Sequence, residues 1–304
     1  MTGEPKNLAA SIHQRLLNGA RDRGEDFQLT MLRYAAERLL YRLCQTQHRE
    51  RFVLKGALLL LLWPDQLHRP TRDVDLEGHG DATPEHLREV FREICRQPCP
   101  EDALRFDEDS VEAAEIIAAQ EYGGVRVTLS AYLGTGRIRL QVDIGFGNAI
   151  TPAPHELDFP TLLPLPAPRL RTYPIETVVA EKFEAIVRFG RTNSRMKDFR
   201  DLTTFARRCE FEGELLGRAV RATFVQRGAD LDDLAEILDS GFYEDAALNQ
   251  RWNAYCRTAG ISDGAETFAA IGAELVRFLE PLGDVLRGQE PPLAWRPAVG
   301  WIRE

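Results

Sequence analysis

Asp73-Val74-Asp75 sets two carboxylates two residues apart in an apolar frame. On a strand the side-chain period is two, so both acids point to one face. Two carboxylates so placed repel unless a cation lies between them. Magnesium, with manganese as a substitute, takes oxygen ligands and is commonly held by one or two carboxylates plus substrate phosphates. The chemistry that fits is phosphoryl or nucleotidyl transfer, where the metal neutralises the attacking and leaving oxygens. An Asp-x-Asp pair alone is more often a pair of exposed loop acids. The apolar alternates Val74 and Leu76 argue for a half-buried strand with its acids toward a cleft.

Three further places could serve the same chemistry. Asp143 sits among the apolar alternates Leu140, Val142 and Ile144 but on the opposite face, and would add a third metal carboxylate if its strand neighbours Asp73–Leu76. A solvent-facing acid on an edge strand reads equally well. Lys55-Gly56-Ala57 lies where a predicted helix begins, and a glycine there lets backbone N–H groups approach a phosphate. Close helix packing would explain that glycine too. On a helix over 173–189, Ile175, Val178, Val179, Phe183 and Ile186 form one face, and Lys182 intrudes on it, while Glu181, Glu184 and Arg188 look like surface. A lysine on an apolar stripe needs a partner or a path to water. Asp198, beside the stripe Met196, Phe199 and Leu202 of the next helix, could meet it. The pair is then either a structural ion pair or a phosphate clamp with its orienter or general base.

The elements that must hold these residues follow from periodicity. Met31, Leu32, Ala35, Leu39 and Leu43 predict an amphipathic helix over 28–45, with Arg33, Glu37, Arg38 and Arg42 on its other face. Phe52–Trp63 reads as a buried helix stopped by Pro64, and Thr83-Pro84 starts a helix through Arg96. Residues 125–133 and 138–146 alternate as a hairpin around Gly134-Thr135-Gly136. Six prolines between Thr151 and Pro168 exclude a helix or a central strand and mark a linker or crossover. Everything beyond reads as helix, with patterns near 173–189, 194–209, 212–226, 230–240 and 264–286 and an extended tail that Trp295 and Trp301 pack down. The expected fold class is α+β: a domain over 1–165 with a small mixed sheet flanked by helices, and a helical domain over 166–304 contributing Lys182 and Asp198.

Composition narrows the class. Hydrophobic residues make up 44% and charged residues 28%, as in soluble globular chains. No apolar run spans a bilayer and the N-terminus lacks a signal-peptide core, so a cytoplasmic location is expected, with no membrane partner. Five scattered cysteines give neither a disulfide framework nor a zinc site. The net charge of −9 speaks against a generic DNA-coating surface. It leaves room for a local basic cluster such as Arg188, Arg191, Arg195, Lys197, Arg200, Arg207 and Arg208, which reads equally as a solvated face with partners like Lys197–Asp201.

Two stretches carry a resemblance. Arg51-Phe52-Val53-Leu54-Lys55-Gly56-Ala57 followed by Arg69-Pro70-Thr71-Arg72-Asp73-Val74-Asp75-Leu76 is similar to the glycine-plus-Asp-x-Asp signature of the polymerase β-like nucleotidyltransferases. With Tyr173-Pro174, Ala180-Glu181-Lys182 and Ser194–Leu202 in order, the chain resembles the AbiEii/AbiGii nucleotidyltransferase toxins from roughly Leu8 to Leu202. The resemblance implies Asp73, Asp75, Lys182 and Asp198 as catalytic residues. Nucleotide contacts would come from Lys55, Gly56, Thr71, Arg72 and Lys182, and Asp143 would join the metal ligands by analogy with the superfamily. Ala57 replaces the serine that often follows the glycine, which leaves phosphate contact there to backbone. The implied activity is a type IV-like toxin that moves a nucleotide from a nucleoside triphosphate to an acceptor, with magnesium. The tRNA 3′ end is the implied acceptor, which would block translation, and a winged-helix, AbiEi-like antitoxin encoded nearby is the implied partner. Alternatives are transfer to a small molecule or a protein, or a non-catalytic triphosphate-binding partner protein.

Overall fold

The computed structural model describes residues 7–63, 71–116, 123–261 and 266–303. Pro64, read as a helix stop, and Arg69-Pro70 of the first motif lie outside them. The chain forms two compact units, Met1–Gly147 with Pro154–Tyr173, and Asn148–Ala153 with Pro174–Glu304.

In the first unit, α1 (Leu8–Arg23) ends on left-handed Gly24, and α2 (Phe27–Cys44) starts where Asp26 accepts from the Leu29 N–H at 2.9 Å. Then come β1 (Phe52–Lys55), a 3₁₀ turn (Gly56–Leu61), β2 (Asp73–Gly78), α3 (Pro84–Arg96), β3 (Leu104–Glu115), β4 (Gly124–Leu133), β5 (Gly136–Phe146), β6 (His155–Asp158) and β7 (Arg169–Thr172). They build one mixed seven-stranded sheet in the order β3-β4-β5-β2-β1-β7-β6, so the class is α+β, with a larger sheet than the sequence suggested. The strand that carries the acids is central, antiparallel to β1 and parallel to β5. Val53, Leu59, Val74, Leu76, Leu87, Val127, Leu129, Val142 and Ile144 form the core, each no more than 2% exposed.

Several sequence expectations change here. Phe52–Trp63 is a strand followed by a 3₁₀ turn, not a helix. A short apolar run fits either state, and pairing with β2 decides it. β3 carries no expectation from the sequence. The proline-rich stretch contains β6, an edge strand built from the proline-free residues between Pro154 and Pro160. Thr83 is the N-cap of α3 as expected, but its side chain makes no cap bond.

Of the polar face assigned to α2, Arg33 is half-buried and the rest is buried. Glu37 and Arg38 are 0% exposed and Arg42 is 3%. Arg42 grips Asp102 at 2.6 and 3.1 Å, Arg38 reaches the same carboxylate at 3.1 Å, and the Tyr34 hydroxyl donates to the Asp102 carbonyl at 2.9 Å. Periodicity sees only the helix itself. The acid that neutralises these arginines arrives some sixty residues later, and a buried ion pair is tolerated only when so satisfied.

The second unit is helical but not only helical. It holds α4 (Ile175–Phe189), α5 (Met196–Arg208), β8 (Phe211–Glu212), α6 (Gly213–Arg227), α7 (Leu234–Leu238), α8 (Ala246–Thr258), α9 (Phe268–Leu286), β9 (Ala294–Arg296) and β10 (Gly300–Ile302). β8, β9 and β10 make a three-stranded sheet, and β7 of the first unit is a strand too, which corrects the all-helical reading beyond Pro168. The tail packs down as expected. The Trp295 indole donates to the Ala206 carbonyl at 2.7 Å and Trp301 to the Phe278 carbonyl at 2.9 Å. All five cysteines are free thiols. Among the described residues no helix is long and apolar enough to cross a membrane.

Candidate active site

Strand alternation sets the geometry of the acids. Along β2, Val74 and Leu76 are buried while Asp73 and Asp75 stay half-buried on the other face. Asp75 lies between Lys55 of β1 and Asp143 of β5 in the sheet register, so all three share that face. The carboxylate of Asp75 rests on Gly56. Gly56 has φ +72°, and a Cβ placed there would fall 2.0 Å from Asp75 Oδ2. Both facts demand glycine, one through backbone conformation and one through space. The glycine therefore makes the cradle of the acid, and it opens a 3₁₀ turn rather than the helix expected from sequence.

Lys55 donates to Glu77 at 2.8 Å, and the Tyr173 hydroxyl donates to the same Oε2 at 3.3 Å. Glu77 is 0% exposed and shares the face of Asp73 and Asp75. The sequence reading missed it, although the same period of two that selected Asp73 and Asp75 reaches Glu77 next. The Thr71 hydroxyl lies 3.5 Å from the Asp73 carbonyl and Arg72 is exposed. Arg126 holds both oxygens of Asp143, at 2.8 and 2.9 Å, and the Gln141 amide adds a contact at 3.2 Å. Among the described residues no three His, Cys, Asp or Glu side chains converge as a ready metal cage. A divalent ion that completes its shell with waters and substrate phosphates needs no such cage, and the Asp73–Asp75 face with its glycine cradle fits that mode. Beside it, Ala57, Leu58, Leu61 and Thr71 with Leu29, Thr30 and Arg33 line a cavity of about 320 Å³.

In the second unit Lys182 and Asp198 meet at 2.6 Å across α4 and α5. Lys182 also reaches Asp201 at 2.8 Å, and Arg195 donates to the second oxygen of Asp198 at 2.8 Å. Burial would lower the lysine, but Asp198 and Asp201 outweigh it and hold the ammonium above its usual range. Burial would likewise raise Asp198, yet Lys182 and Arg195 hold it well below the usual carboxylate range. Asp198 so held is a poor proton acceptor and a good orienter of Lys182. Asp201, read as a surface partner of Lys197, is the second carboxylate on the lysine. Glu184 is not surface either: it is 0% exposed, with Arg227 at 2.7 Å and Arg188 at 3.5 Å. In the basic cluster, Arg191 pairs with Glu236 and Asp245, and Arg207 with Glu266 and Glu274. These pairs favour the solvated-face reading for those two residues.

Thus Lys55, Gly56, Thr71, Arg72, Asp73, Asp75 and Asp143 belong to one unit, Lys182 and Asp198 to the other. A family model described as the nucleotidyl transferase AbiEii toxin of type IV toxin–antitoxin systems matches residues 38–274. The crystal structure of JHP933 from Helicobacter pylori is similar in fold, with a TM-score of 0.50 at 15% identity over 87% of this chain and 95% of that one. A candidate nucleotidyltransferase from the same organism gives a TM-score of 0.49 at 14% identity, covering 87% and 99%. No curated protein matches the chain.

Proposed function

The chain belongs to the AbiEii nucleotidyltransferase toxin family, and from that premise we propose that it transfers a nucleotide from a nucleoside triphosphate to the 3′ end of tRNA, with a divalent metal, in the cytoplasm. The observation that carries the reading is the strand face on which Asp73 and Asp75 stand together over the Gly56 cradle. Asp73 and Asp75 would hold magnesium or manganese, with Asp143 joining once it leaves Arg126. When bound, the ion supplies charge neutralisation at the attacking and leaving oxygens.

The rest is done by the chain. The backbone at Gly56 and Ala57, the Thr71 hydroxyl and Arg72 orient the triphosphate, and Lys182, held by Asp198 and Asp201, takes the catalytic role that the family resemblance implies. Lys55 is committed to Glu77 at 2.8 Å, which supports a role in shaping the acid strand beside its expected role on the nucleotide. The acceptor hydroxyl attacks the α-phosphorus, a P–O bond forms, the bond to the β-phosphate oxygen breaks, pyrophosphate leaves, and the hydroxyl proton passes to solvent. The loss of a usable tRNA 3′ end would stop translation, and a winged-helix antitoxin encoded nearby would restrain the enzyme.

The test is incubation of the full chain with total RNA, magnesium and each of four α-labelled triphosphates. Label on tRNA that disappears in Asp73→Ala supports the reading. Label on another RNA, or no label on tRNA with any of the four triphosphates, would refute the tRNA acceptor.

A further inference from the structure

The polar face that bears the acids continues outward over β5, β4 and β3. Asp143 stands opposite Arg126, Gln141 opposite Thr128, Arg139 opposite Ser130, Arg137 opposite Tyr132, and Tyr132 opposite Arg105. Directly opposed residues share a face. The alternates Leu129, Ala131, Ile138, Leu140 and Val142 are buried on the other side. Gln141 is also the register partner of Asp73, so this face is continuous with the acids.

Its far end is cationic. Arg105, Arg137 and Arg139 are exposed. Among the described residues none of the three makes an ion pair; Arg137 donates instead to the Ser130 hydroxyl, at 3.1 and 3.0 Å. Arg105 stacks over the half-buried Tyr132 ring, 4.5 Å from its centroid. In a chain of net charge −9, arginines such as Arg169, Arg191 and Arg207 are each met by two carboxylates. Three guanidinium groups without one, beside a stacked ring, are complementary to a polyanion with flat bases. Acids return on the same face at Asp107 and Glu112, opposite Ser130 and Thr128, so the cationic ground reaches the edge strand only at Arg105 and otherwise runs along β5.

We propose that this face is the track on which the single-stranded 3′ end of the RNA acceptor lies, with phosphates on Arg137 and Arg139 and a base against the Arg105–Tyr132 pair. The inference rests on the nucleotidyl-transfer reading above and names the surface that presents the acceptor. Arg137, Arg139 and Gln141 are spaced two residues apart, about 7 Å per step along the strand. A chain following them therefore ends beside Asp73. Unneutralised guanidinium groups favour phosphate oxygens, and an arginine stacked on an aromatic ring offers a base a platform.

The test is fluorescence anisotropy of a short labelled single-stranded RNA titrated with the full chain across a salt series. Calorimetric titration with magnesium and each triphosphate runs beside it. The triple variant Arg105→Ala, Arg137→Ala, Arg139→Ala is expected to bind the RNA about tenfold or more weakly. The slope of log affinity against log salt should fall by about 1.4, from two phosphate contacts at roughly 0.7 each. Triphosphate affinity should be unchanged, which also shows that the variant is folded. The triple lysine variant should keep most of the salt slope, and Tyr132→Phe should bind better than Tyr132→Ala. A triple-alanine variant that binds RNA as the wild type does overturns the track. Wild type that binds triphosphate but no RNA overturns it too and leaves nucleotidyl transfer standing. Wild type that binds no triphosphate overturns the underlying reading.

Discussion

Gly56→Ala separates the demands of folding from those of catalysis at one atom. The backbone at this position is left-handed, φ +72°, which costs a residue with a Cβ about 1–2 kcal/mol. For a unit of this size that lowers Tm by roughly 2–8 °C. The larger consequence is local. The new methyl would lie 2.0 Å from Asp75 Oδ2, and ordinary contact begins at 3.4 Å, so the carboxylate must retreat by the difference, about 1.4 Å. Metal ligation tolerates about 0.2 Å and a misplacement near 1 Å can cost about 100-fold in rate. Nucleotide transfer should therefore fall at least about 100-fold while the variant stays folded at 25 °C. The assays are label transfer from the α-labelled triphosphate, manganese binding by calorimetry and a thermal melt. A Gly56→Ala protein with wild-type transfer and wild-type manganese affinity would show that the acid does not work from this cradle.

Lys182→Met leaves Asp198 and Asp201 buried without their ammonium, a loss of about 3–5 kcal/mol in urea unfolding of the full chain. The gap should close in acid: the depressed pKa of Asp198 contributes above its ordinary 3.8 and is lost as pH falls below it. A denaturation midpoint unmoved by the substitution would contradict the pairing. Burial raises Glu37 from 4.5 to about 7, against the pull of the Leu162 N–H and Arg38. A group raised in the folded state gives its full contribution below pH 4.5 and loses it as pH climbs through 7. At 1.36 kcal/mol per unit the wild type gives up about 3 kcal/mol over that window. Glu37→Gln should accordingly be the more stable protein at pH 8 and lose that advantage near pH 4.5, which melts across the range would check.

What could be read from the sequence depended on where each residue's partner lies in the chain. Asp73 and Asp75 were legible because period-two alternation is local, and the β4–β5 hairpin because its turn and both strands adjoin. Lys182 with Asp198 was legible because sixteen residues and one turn separate them on consecutive helices. Glu37, Arg38, Arg42 and Glu184 were misread as surface because charge is normally solvated, and the groups that bury them come from distant segments. The strand character of Phe52–Lys55 depended on β2, β3 offered a register shift between Asp107 and Glu112 instead of clean alternation, and the meeting of Gly56 with Asp75 is a tertiary fact.

The path of the backbone constrains how this molecule can be made. The chain leaves the first unit after Gly147, returns at Pro154, and only then supplies β7, which pairs with β1 through Leu54 and Thr172. On the ribosome the outer edge of β1 therefore waits for more than a hundred further residues, several seconds or more of synthesis at about 5–20 residues per second, as an unpaired edge open to wrong partners. No single peptide cut separates the two units, so a gene fragment ending at Gly147 would yield an unfinished sheet rather than a free-standing half.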